Sequence, residues 1–240
     1  MELIINYWED HVLRIVIKYT KKGKIRYISH LDTLRVLQRA VRRAKLPIKF
    51  SEGFNPHAKI SIAYPLSLGL ESEGEYAEIE FTQKMRLTDV QERLQKCLPQ
   101  GMEIIGIYTY QLSASLASLV SHQIYGFKVQ IENTLDTVNV VQQILEITQQ
   151  AYTIKREKKK RNKRVYKEIN VIDFVEDVSV HSVQGDMLSI NIKVKATDIG
   201  SLKVEELKTW IREKDDGIEI RKISRVDLNF IDKSWLIEYN

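Results

Sequence analysis

The sequence predicts an α+β protein built from two tandem ferredoxin-like (β-α-β-β-α-β) domains, on three observations. An order of strand, helix, two strands, helix and strand can be traced through the first half, the same order recurs in the second, and a polar, serine-rich connector separates them. The predicted domains are 1–112 and 122–240, with a linker over 113–121. The recurrence is one of structure, because no sequence repeat accompanies it.

Each element has a local reason. Val12 to Tyr19 alternates apolar and partly charged positions at period two, as a half-buried strand requires, and Lys21 to Lys24 turns the chain at Gly23. Ser29 and Asp32 have the spacing of a capping box, so a helix is expected from His30 to Lys45. Its core stripe is Leu31, Leu34, Leu37, Val41 and Ala44, and Arg35, Arg39, Arg42 and Arg43 fall on the opposite face. Pro47 stops it, and Ser51 to His57 has the composition of a tight exposed turn.

Ile60/Ile62/Tyr64 reads as a strand, and Tyr76 to Phe81 as another with Glu78 and Glu80 on its wet face. Thr88 and Asp89 open a helix that Pro99-Gln100-Gly101 ends, and Met102 to Tyr110 returns as strand. In the second half the expected order is strand 122–131, helix 135–149, strand 152–156, strands 178–183 and 187–194, helix 201–213 and strand 218–230. The charge run Lys155 to Lys167 cannot pack in a core, so it is expected to project as a hairpin or arm.

Composition narrows the function classes. A chain of 240 residues with 43% hydrophobic content can bury a substantial core, and only four prolines argue against a disordered chain. The formal charge of +5 permits a polyanionic partner without requiring one. A lone Cys97 forms no internal disulfide and supplies neither a thiolate zinc site nor an iron–sulfur cluster, which suits a cytoplasmic location. Glu9, Asp10 and His11 interrupt the apolar region that a signal peptide needs, and no apolar run approaches the roughly 20 residues of a membrane span. No metal site and no cofactor are expected, since paired ligand motifs and phosphate-binding glycine patterns are missing.

Two basic elements carry the functional expectation. Arg35, Arg39, Arg42 and Arg43 lie within two helical turns, a spacing that meets successive phosphates, and a solvated helix face is the competing explanation. Lys158, Lys159, Lys160, Arg161, Lys163 and Arg164, with Tyr152 and Tyr166 beside them, form the kind of arm that grips RNA. A third group, Ser51, Asn55, His57 and Lys59, would make an anion site if its turn folded back over the helix start at Ser29, His30 and Asp32. In that arrangement His30 and His57 are the outside candidates for acid–base catalysis of RNA cleavage, although capping already accounts for Ser29 and Asp32. Trp8, Trp210 and Trp235 read as core aromatics.

Three motifs carry a resemblance. Arg26 to Asp32 reads RYISHLD, Ser51 to Ala63 reads SEGFNPHAKISIA, and Pro65 to Ser72 reads PLSLGLES. Together they closely resemble the opening of the radical-SAM-linked family of bacterial proteins of unknown function. The likeness continues more weakly through Ser201 to Leu207, where Val204 replaces a proline, and Asn170 stands where an acidic residue is expected. The resemblance implies a companion of a radical SAM enzyme and no settled activity. Such an enzyme needs three cluster thiolates, so a chain with one cysteine would be an accessory rather than the catalyst and would meet its radical SAM partner in trans. The expected architecture also resembles, by analogy of fold alone, CRISPR-repeat endoribonucleases and tRNA pseudouridine synthases.

Three functions follow as expectations. The first is an RNA-binding accessory protein presenting tRNA or rRNA to a separate radical SAM modification enzyme. The second is a stand-alone endoribonuclease or RNA modifier using His30 and His57, and the third is a protein-interaction module docking on a radical SAM partner.

Overall fold

The computed structural model describes residues 11–132, 137–146, 152–160, 163–197, 200–213 and 217–235. The chain is α+β, with sheet predominating over a few short helices, and it divides into two compact units. Of the described residues, the first comprises 11–120 together with 230–235, and the second lies within 121–229. Residues 230–235, expected in the second domain, group with the first.

The first unit begins with β1 (His11–Lys21), then a short 3-10 turn at Gly23–Tyr27 and helix α1 (His30–Arg43). It continues through β2 (Ile60–Ile62), β3 (Glu71–Arg86), α2 (Leu87–Gln95) and β4 (Ile104–Thr109). The strands β1 and β3 pair antiparallel, β4 flanks β1, and β2 flanks β3, so that Ile79 opposes Ile15 on one side and Ile60 on the other. The strand order is thus β4-β1-β3-β2.

One face of this sheet carries Ile15, Ile17 and Tyr19 from β1 and Ala77, Ile79 and Phe81 from β3, packed against Leu37, Ala40 and Val41 of α1 and Val90 and Leu94 of α2. The period-two pattern of the strands meets the helical stripes there, and burying these side chains provides the main driving force. Leu31 is an exception to the expected core stripe, since it sits in the first turn of α1 and is 62% exposed.

The opposite face corrects the sequence reading most sharply. Glu78 was expected in water and is buried. Arg14 donates to it through Nε at 2.5 Å, to the Leu112 carbonyl at 2.6 Å and to the Ala114 carbonyl at 3.2 Å, and its guanidinium lies over the Tyr110 ring. The Leu116 amide donates to the second Glu78 oxygen at 3.0 Å. The serine-rich connector, which contains a 3-10 helix at Leu116–Leu119, thereby covers what looked like a wet face. Trp235 completes the cover, edge-on to Tyr76, Tyr108, Tyr110 and Phe230 at centroid distances of 5.0 to 6.1 Å.

The second unit opens with β5 (Val120–Ile131) and α3 (Thr137–Leu145), followed by β6 (Thr153–Lys160) and β7 (Lys163–Asn170). Then come β8 (Val175–Gln184), β9 (Met187–Lys195), α4 (Val204–Arg212) and β10 (Ile218–Phe230). Its strand order is β10-β5-β9-β8, the same relative order as in the first unit, and β6 and β7 form a separate two-stranded ribbon. Alternation is clean in β9, where Leu188, Ile190, Ile192 and Val194 are buried and the intervening residues are not. Trp210 lies in the core with Leu207 and Ile211, as its helical spacing implies.

Candidate functional site

The start of α1 is capped as its sequence requires. The Asp32 amide donates to Ser29 Oγ at 3.1 Å, and the Ser29 hydroxyl donates to the Asp32 carboxylate at 2.7 Å. The Ser29 hydroxyl, followed by the Arg35 guanidinium, holds the Asp32 carboxyl below its usual range. Just before the cap, buried Lys21 donates from Nζ to the Ile28 carbonyl at 2.9 Å. The sequence pattern puts this residue in a turn, yet continuing the Ile15/Ile17/Tyr19 alternation by one step places it on the buried face.

His30 borders a cavity of about 10 Å³ with Tyr19, Lys21, Thr33, Ile62, Leu66 and Glu75. That cavity has room for one water at most. The segment reaching the helix start is therefore Ile62 to Leu66, not the turn that begins at Ser51.

The Ser51 to Lys59 turn lies elsewhere. Its base is a short ladder in which Ile48 faces Phe81, Phe50 faces Ala58, the Lys49 amide donates to the Glu80 carbonyl at 2.9 Å and the Glu80 amide to the Lys59 carbonyl at 3.1 Å. Within it, the Ser51 amide donates to the His57 carbonyl at 2.8 Å, the His57 amide to Ser51 Oγ at 3.1 Å, and Ser51 Oγ lies 3.0 Å from His57 Nδ1. Lys49 and Lys59 both reach Glu80, at 3.4 and 3.3 Å. The turn is anchored at Glu80 and the cavity of His30 at Glu75, five residues apart on one strand, which is about 17 Å at the usual rise of ~3.3 Å per residue. His30 and His57 are not brought together, and His57 and Lys59 have structural partners that account for them.

Arg35, Arg39, Arg42 and Arg43 are all exposed on one side of α1. Arg35 is paired with Asp32 at 2.8 Å, and Arg43 donates to the Cys97 carbonyl in the turn after α2. Arg39 and Arg42 have no side-chain partner among the described residues. Beside them is a cleft of about 370 Å³ lined by Val36, Arg39, Arg42, Arg43 and Pro99. Pro99 joins this site from a distant part of the sequence, so nothing local to α1 marked it.

Of the basic arm, the strands β6 and β7 pair over their whole length, Thr153 against Asn170 to Lys160 against Lys163. The side chains of Lys158, Lys159, Lys160 and Lys163, and all of Arg161, lie outside the described residues. Arg164 is exposed and paired with Glu157 at 3.4 Å, and Tyr166 is 60% exposed. The ribbon is held at its base by Arg156, whose Nε and Nη2 donate to the two oxygens of Glu206 at 2.7 and 2.6 Å. Burial raises the Glu206 carboxyl, but the Arg156 hydrogen bonds and the Lys203 amide outweigh it and leave its pKa lowered. Tyr152 donates its hydroxyl to Glu213, and burial together with that carboxylate pushes its pKa up to about 12. Asn170, opposite Thr153 at the base of the ribbon, accepts from the Tyr152 amide at 3.3 Å.

Among the described residues no cluster of three or more His, Cys, Asp or Glu side chains could hold a metal ion, and no helix is long and apolar enough to cross a membrane. No curated protein matches the chain. Among solved structures, it is similar to a chain in the crystal structure of a Cbf5–Nop10–Gar1 complex, with 12% identity and a TM-score of 0.48 over 94% of this chain and 50% of that one. It is likewise similar to a chain in an H/ACA RNP bound to a substrate RNA containing 2'-deoxyuridine, with 11% identity and a TM-score of 0.44 over 92% and 48%. It spans about half the length of either. The profile of the uncharacterized protein family conserved in bacteria, DUF2344, matches residues 14–204, and the chain belongs to that family.

Proposed function

We propose that this protein is an RNA-binding accessory factor that presents tRNA or rRNA to a separate radical SAM modification enzyme. The observation that carries the RNA part is the α1 face, where Arg39 and Arg42 are exposed and have no carboxylate partner among the described residues. Guanidinium groups left unpaired on a rigid helix favour bidentate contact with phosphate oxygens. The basic composition of Lys155 to Lys167 supplies a second contact of the same sign. The radical SAM partner rests on the resemblance of the three sequence motifs and on the single cysteine.

We also infer that each unit is a ferredoxin-like fold. The strand orders β4-β1-β3-β2 and β10-β5-β9-β8, with two helices in each unit, support this reading, and the β6–β7 ribbon is then an insertion into the second copy.

Filter binding of structured RNA against salt tests the RNA reading. Binding at low salt with a clear negative slope of log K on log salt is expected, and absence of binding, or binding without a slope, refutes it. A nuclease using His30 and His57 is less well supported, because the turn of His57 is anchored at Glu80 and the cavity of His30 at Glu75, five residues apart on one strand.

A further inference from the structure

We propose that the cleft beside the C-terminal half of α1 takes a single nucleotide of the bound RNA, its base on the Val36 and Pro99 floor and its phosphate on Arg39 and Arg42. This deepens the RNA reading and rests on it. At about 370 Å³ the cleft lies near the lower end of the ~300–1,000 Å³ of ligand pockets, a size that suits one nucleotide and excludes a duplex.

The lining joins the two chemistries that a nucleotide presents. Val36, Arg39 and Arg43 fall at positions i, i+3 and i+7 of α1 and so share one stripe, with Arg42 beside them. The floor is a valine side chain and a proline ring, and among the described residues no carboxylate lines the cleft to compete for the arginines. Planar guanidinium groups stack on bases as readily as they grip phosphate, which a lysine face would not do.

The walls are set before any ligand arrives. Arg43 is tied to the Cys97 carbonyl, which links α1 to the turn that carries Pro99. That turn is fixed in its own right: the Met102 amide donates to the Pro99 carbonyl at 3.1 Å, and the Lys22 amide donates to the Gly101 carbonyl at 2.8 Å. The negative end of the α1 dipole favours cations in the last turn, so Arg42 and Arg43 are stabilised there in the free protein. A preorganised site loses less entropy on binding.

The test is an amide NMR titration of the full chain with adenosine 5'-monophosphate, adenosine and inorganic phosphate, run beside the RNA titration. The monophosphate is expected to shift amides of residues 36–43 and 97–101 and to bind at least tenfold more tightly than adenosine or phosphate alone. Val36→Trp, which fills the floor without touching a charge, is expected to weaken it at least tenfold. Phosphate binding as tightly as the monophosphate, shifts confined to other residues, or a folded Val36→Trp with undiminished affinity overturns the proposal, and the wild-type mapping stands even if that variant does not fold. RNA binding without monophosphate binding overturns the cleft and leaves the RNA reading intact. Monophosphate binding without RNA binding refutes the RNA reading and upholds the cleft as a nucleotide site.

Discussion

Replacing Arg39 and Arg42 together by glutamine should lower the salt slope of RNA binding by an amount that the structure fixes. Of the four arginines on α1, Arg35 is occupied by Asp32 and Arg43 by the Cys97 carbonyl, so two remain to neutralise phosphates. Each phosphate neutralised on a single strand contributes about 0.7 to the slope, and two give about 1.4. Between about 50 and about 200 mM salt the advantage of wild type over the double variant should then shrink roughly sevenfold. Fluorescence anisotropy with a labelled single-stranded RNA across that range measures both slopes. Arg35→Gln and Arg43→Gln serve as internal comparisons, each expected to move the slope by less than half as much. An unchanged slope in the double variant, or a slope change in Arg35→Gln or Arg43→Gln as large as that of the double variant, would refute the division into engaged and available arginines.

Other expectations concern the frame that holds the site. Leu37→Ala, at a fully buried position of α1, should cost about 3 kcal/mol in a urea melt, the usual cost of an unfilled core cavity. Gly101→Ala should destabilise by about 2 kcal/mol or more, because φ there is +90° and a Cβ would come within 2.2 Å of the Lys22 carbonyl oxygen. Glu206 has a folded-state pKa below its ordinary 4.5, so its contribution is present above that value and is lost as pH falls through the folded pKa. Protection of the β6–β7 amides, relative to their intrinsic exchange rates, should therefore fall below pH 4.5 in wild type, and Glu206→Gln should show lowered protection already at neutral pH.

Much of the scaffold was legible because it is locally determined. The Ser29 cap, the α1 stripe from Leu34 to Ala44 and the strand from Ile218 to Phe230 all follow from patterns within a few residues of one another. What was not legible depends on chain that returns from far away. Glu78 is buried only because Leu116 and Arg14 come to it, and Arg14 is held by carbonyls about a hundred positions on, at Leu112 and Ala114. Leu31 matches the helical period, but it lies in the first turn, beyond the reach of the sheet. For the candidate site, the arginines were visible as a charge pattern and the cleft was not, since Pro99 is contributed by a turn after α2. The turn of His57 and the helix start at His30 reach β3 at different points, Glu80 and Glu75, and that spacing is set by pairings with a strand distant in sequence from both.

The placement of Trp235 also bears on how the molecule is made. Its ring closes an aromatic cluster with Tyr76, Tyr108 and Tyr110, partners that leave the ribosome more than a hundred residues earlier. A nascent chain halted anywhere before Trp235 therefore leaves those three rings without their lid, a hydrophobic surface open to chaperones or to neighbouring chains. Contacts of such long sequence separation also slow folding. The first unit to be synthesised is in this sense the last to be finished.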